Sequence, residues 1–217
     1  AVWLRDRRDP RRFQRIDLPV LPGGSDPAAG SSVPYAFNQA GQAVGYATND
    51  RSGRRATLWA ADARRTPFNL GVYPGDEWSL ARGINERGQV AGESRPLGGS
   101  RAVMWDADPA RTMRLLPLLP GDNQGSAHAI NGPGQILGRS WRSSGPDDDD
   151  DGPSRVVIWR DGGVHDLQAL LDAGGAAWTL VAAIAINDRG QIAATARPEG
   201  ADGRQRAVLL TPVPAPR

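Results

Sequence analysis

Apolar positions along the chain fall into short runs divided by turn residues, and the runs repeat. One block reads VPYAFNQAGQAVGYA from Val33 to Ala47, and its cognates are SLARGINERGQVAGES from Ser79, SAHAINGPGQILGRS from Ser126 and VAAIAINDRGQIAATA from Val181. All four share apolar-Asn-x-x-Gly-Gln-apolar, with Asn38, Asn85, Asn131 and Asn187 spaced by 47, 46 and 56 residues. A second run follows each block: ATLW at Ala56, AVMW at Ala102, VVIW at Val156 and AVLL at Ala207, with AVW already present at Ala1. A third element leads into the next block: DLPVLPGG, NLGVYPGD, LLPLLPGD and DLQALLDAGG. Runs this short, bounded by Gly, Pro, Asn and Asp, predict strands rather than helices.

Each unit therefore holds four short strands in about 50 residues, the size of a propeller blade. The expected fold is all-β, a β-propeller-like array of four-stranded antiparallel blades, about five in number, partial or complete. The chain 1–217 forms one such domain. It starts and ends on a third-strand motif, so the ends either complete one blade between them or leave an open arc. The Asn-x-x-Gly segment suits a hairpin turn in which Gly41, Gly88, Gly134 and Gly190 take positive φ, which glycine tolerates cheaply. The asparagines then read as turn formers, the alternative being a ring of polar ligands. Trp3, Trp59, Trp105 and Trp159 share one repeat position and read as packing between blades.

The combination of Ile-Asn-x-x-Gly-Gln blocks, Ala-Val-x-Trp runs and Leu-Pro-Gly-Asp turns resembles the HAF-repeat family, a group of extracellular bacterial repeat proteins. The likeness covers nearly the whole chain. Phe37 stands for Ile before Asn38, Ala194 for the second Gly of the last block, and Leu210 for the last Trp, departures that suit terminal units. The resemblance implies an extracellular, cell-surface or periplasmic location, and a natural family terminus in LLTPVPAPR. It implies no defined activity.

Composition narrows the function. With no cysteine, neither a disulfide framework nor a thiolate metal site is available. All 26 basic residues are arginine, yet the net charge is only +2. The one arginine-dense stretch, 5–15, also carries two aspartates and reads as a solvated loop, so no nucleic-acid partner is expected. No apolar run approaches the ~20 residues of a membrane span. The chain begins at Ala1 without an initiator Met or a leader pattern, as a mature form or a fragment would.

Candidate chemistry lies in the loops. The crossovers into each first strand and the connections between second and third strands should share one face, and that face is where a ligand would sit. The candidate binding residues there are Asp76, Glu77, Trp78, Asp122, Asn123 and Trp178. Arg82 and His128, cognates on the innermost strands, would face the centre. Trp78 and Trp178 occupy matching places and either stack a ligand or pack. The acidic run Asp147–Asp151 between two Gly-Pro pairs predicts a disordered loop over 143–154; it lacks the alternating spacing of a calcium loop. With two histidines and no GxSxG, HExxH or P-loop pattern, no catalytic or metal residue and no cofactor is assigned. The expected function is a binding or interaction module for a glycan, a cell-envelope component or a protein. Two alternatives stand beside it: a glycosidase or lyase using Asp76 and Asp122, and a structural fragment of a larger array.

Overall fold

The computed structural model describes residues 2–5, 13–26, 29–145, 154–175, 177–200 and 203–213. The expected acidic loop therefore lies outside the described residues over 146–153, and the side chain of Trp3 does too. The fold is all-β and antiparallel. Strands β1 (Val2–Arg5) and β2 (Phe13–Ile16) form sheet I. Sheet II is β3 (Ser32–Phe37), β4 (Ala43–Asn49), β5 (Ser52–Trp59) and β6 (Pro67–Asn69). Sheet III is β7 (Trp78–Ile84), β8 (Val90–Arg95), β9 (Arg101–Trp105) and β10 (Met113–Leu115). Sheet IV is β11 (Gln124–Ile130), β12 (Ile136–Trp141), β13 (Arg155–Arg160) and β14 (Gly163–Asp166). Sheet V holds β15 (Trp178–Ile186), β16 (Ile192–Pro198) and β17 (Arg206–Leu210). The only helical element among the described residues is a 3-10 turn at Gln168–Leu170. Each sheet is a simple meander in chain order, so the repeat read from the sequence is the structural unit.

The first hairpin of each of the four repeats closes as its residues dictate. Gly88 N–H donates to Asn85 O and Asn85 N–H to Gln89 O, and the same pair of bonds recurs around Asn38, Asn131 and Asn187. Gly41, Gly88, Gly134 and Gly190 sit at φ between 75° and 93°. In β3, β7 and β11 the first strand then carries a bulge at Tyr35, Arg82 and His128, each three residues before its asparagine. The bulge drives a carbonyl against the partner strand. A Cβ at Gly92 would lie 2.0 Å from Leu80 O, and one at Gly138 2.0 Å from Ser126 O. That explains the second glycine of the repeat. Sheet V has Ala194 there, and β15 slips its register twice, around Val181 and Ile184, instead of once.

The sheets stack face to face in chain order, with β3 against β7, β7 against β11 and β11 against β15. Val44, Ala56 and Leu58 of sheet II pack on Ala81, Ile84, Val90, Val103 and Trp105 of sheet III. Sheets III and IV meet through Ala91 and Ala102 against Ala127, Ile130, Ile136, Val157 and Trp159. Trp105 and Trp159 are buried in these interfaces and Trp59 against Leu18 and Leu21, and their indole N–H groups reach back to the preceding crossover: Trp59 to Pro19 O, Trp105 to Leu70 O and Trp159 to Pro117 O. Packing, with a hydrogen bond to hold the indole, is thus their role.

The asparagines do more than turn the chain. Asn38 Nδ2 donates to Asn85 O at 3.1 Å, Asn85 Nδ2 to Asn131 O at 3.0 Å and Asn131 Nδ2 to Asn187 O at 3.0 Å. One residue type therefore shapes the hairpin and ties each sheet to the next. The end faces differ from the interior. Leu209 is 66% exposed where its cognates Leu58 and Ile158 are 1% and 3%, and Phe37 is 76% exposed where Ile84 and Ile130 are 8%. The stack is open at both ends among the described residues.

Candidate ligand-binding cleft

The crossovers and the second-to-third connections do share a face. Between sheets III and IV they enclose a cleft of about 360 Å³, lined by Glu77 and Trp78 from one crossover, Gln124 and Ser126 from the next, and the Arg95–Ser100 and Arg139–Ser143 segments. Most of these groups are polar.

Two lining residues, Arg95 and Ser126, connect the cleft to the bulge residues, Arg95 through Glu93 to Arg82 and Ser126 to His128. A bulge re-aims the side chain that it carries. Here it turns Arg82 toward Glu93, whose carboxylate is 2.8 Å from Arg82 Nη2 and 3.0 Å from Arg95 Nη2. Ser100 Oγ, 3.2 Å away, is a third partner of the same carboxylate. Glu93 is 1% exposed. Burial pushes its carboxyl up, but Arg95 and then Arg82 outweigh that and hold it below the ordinary glutamate value. A buried carboxylate with these partners stays ionised and fixes both guanidinium groups.

Aromatic rings hold the same arginines from the other side. Arg95 lies 4.7 Å from the Trp78 ring, Arg54 5.8 Å from that ring and 5.2 Å from Tyr46, and Arg82 4.7 Å from Tyr35. Arg139 lies 6.0 Å from Trp141. It makes no ion pair among the described residues, and its one hydrogen bond is a long one, 3.4 Å from Nη1 to Ser154 Oγ. His128 Nε2 sits 3.2 Å from Ser126 Oγ. Burial first, then Arg139, push His128 down to about 4, with an upward pull from Glu93 and a smaller downward push from Arg82. The imidazole is therefore neutral at pH 7. Among the described residues, Arg82 and Arg95 share Glu93, Arg54 and Arg139 make no ion pair, and Glu77 also lines the cleft.

The other expected residues separate from this cluster. Asp76 is buried, with Oδ1 3.2 Å from Arg101 Nε and Oδ2 without a partner. Asp122 has Oδ1 2.7 Å from Arg155 Nη2 and Oδ2 2.6 Å from Ser140 Oγ. Each aspartate thus pins its crossover to the first residue of a third strand. Asn123 exchanges hydrogen bonds with Ser143 in both directions and braces the cleft wall. Trp178 packs on the core between sheets IV and V and lines a different groove, with Leu171, Leu180 and Val208. The match between Trp78 and Trp178 is one of strand position, since each opens its first strand, and their surroundings differ.

Glu93, Arg95, Arg139 and Trp141 were not singled out from the sequence. The signal was available by aligning the repeats. Eight residues after each asparagine stand Tyr46, Glu93, Arg139 and Thr195, the position beside the bulge, where two interior repeats place a charge. The search of protein-family models gave no match, and no curated protein matched the chain.

Proposed function

We propose that the chain is a propeller-type, non-enzymatic binding module whose ligand lies in the cleft between sheets III and IV and over the adjoining bulge residues. Four-stranded sheets meandering from an inner to an outer strand, with neighbouring first strands in contact, support blades set around an axis. The resemblance to the HAF repeat supports a secreted or surface location. The carrying observation is the cluster at Arg82, Glu93 and Arg95. A fully buried carboxylate that holds two arginines beside a polar cleft costs desolvation energy that packing alone does not require.

The glycosidase or lyase alternative draws no support from Asp76 and Asp122, because both are engaged in ion pairs with Arg101 and Arg155. A binding test is direct. Immobilised protein is exposed to neutral glycans, acidic glycans and cell-envelope fractions, beside a Ser143→Trp variant that narrows the cleft. Retention by the native chain and its loss in the variant, with an unchanged melting temperature, is the expected result. Absence of retention across the whole panel overturns the reading.

A further inference from the structure

We propose that the cleft takes a carboxylate-bearing saccharide, such as a uronic-acid unit of an acidic glycan, with Arg139 as the partner of the carboxylate. The inference rests on the binding reading above and adds the chemical class of the ligand.

Three observations carry it. First, the arginines are not equivalent. Arg82 and Arg95 are committed to Glu93, but Arg139 Nε and Nη2 make no hydrogen bond among the described residues. A guanidinium fork held beside a ring, with one edge unpaired among the described residues, matches a carboxylate in two-point contact. Second, the indoles are already used. Arg95 covers the Trp78 ring and Arg139 lies by Trp141, so neither indole is a bare stacking face, and Leu97 is the exposed aliphatic side chain of the lining. Third, hydroxyl and amide groups line the cleft beside Glu77 and the Pro96–Gly99 turn. Gln124, Ser126 and Ser143 answer a molecule dense in hydroxyls better than a simple aliphatic acid. His128 adds to this. It stands behind the lining residue Ser126, 3.2 Å from its hydroxyl, and being neutral it adds no further charge.

Calorimetric titration of the full chain with galacturonic-acid oligomers, with their methyl esters and with poly-glutamate tests the proposal. The acid oligomers should bind, weaken as salt rises, and lose at least tenfold in affinity in Arg139→Gln at unchanged melting temperature. Arg139→Lys, which keeps the charge and loses the fork, should fall between. Equal binding of acid and ester overturns the carboxylate assignment while the binding reading stands, provided Ser143→Trp still abolishes it. Poly-glutamate binding as tightly as the acid oligomer overturns the saccharide assignment. Acid oligomers that bind both Arg139→Gln and Ser143→Trp normally overturn the inference and the cleft reading together. Failure of every probe to bind overturns the inference alone, because the wider panel above tests the module by itself.

Discussion

Replacing Asn85 by alanine removes four hydrogen bonds at one buried position. Asn85 Oδ1 accepts from Arg87 N and Gln89 N at 3.1 and 3.0 Å, and Nδ2 donates to Gln89 Oε1 at 2.9 Å and to Asn131 O at 3.0 Å. At about 1 kcal/mol per bond, with buried partners left unpaired, the loss is about 3–5 kcal/mol. Asn187→Ala supplies the control. Asn187 makes the same three turn bonds, to Arg189 N, Gln191 N and Gln191 Oε1, but it is exposed and donates to no further sheet. Water replaces those bonds, and the cost should be about 1 kcal/mol. Scanning calorimetry of both variants should show Asn85→Ala melting roughly 10 °C below the native chain and Asn187→Ala within a few degrees of it. Equal shifts would refute the reasoning, because they would make the asparagine a turn former alone and the inter-sheet bond energetically silent.

Three further outcomes follow from the same geometry. Gly92→Ala sets a Cβ 2.0 Å from Leu80 O and should cost about 3 kcal/mol in a urea titration, whereas Ala194→Gly in sheet V should cost about 1 kcal/mol or less. Glu93→Ala should lose about 3–5 kcal/mol by stranding Arg82 and Arg95, more than either arginine-to-glutamine change alone; equality would remove Glu93 as the organiser of the cleft. His128 binds its proton at about 4 in the fold against an ordinary 6.5, so the unfolded chain holds more protons between those values. Stability contributed by the neutral ring is complete above pH 6.5 and falls as pH drops toward 4, by about 2–3 kcal/mol in all. Urea titrations at stepped pH should show that loss in the native chain and not in His128→Phe.

The repeat was legible because its signals are local. Turn glycines, paired apolar runs and recurring tryptophans each state their role within a few residues, and the four-stranded unit follows from them. The asparagine bond between sheets was not legible, since nothing in an Asn-x-x-Gly turn says where the second amide hydrogen points. Arg82 and His128 occupy the same bulge position in their repeats, and the bulge that aims them depends on pairing across two strands. Asp76 and Asp122 looked like free loop carboxylates because their arginines, Arg101 and Arg155, lie 25 and 33 positions away along the chain. Trp178 shares with Trp78 its place at the start of a first strand, but it packs on the core between sheets IV and V, a contact set by stacking rather than by sequence.

Hydrogen–deuterium exchange on the native chain, with and without the glycan that it retains, locates the ligand without any substitution. Protection confined to residues 77–82, 93–100, 124–128 and 139–143 is the result expected of a cleft between sheets III and IV. Protection centred on Leu171, Trp178 and Val208, with the cleft segments unchanged, would move the ligand to the groove between sheets IV and V and contradict the account.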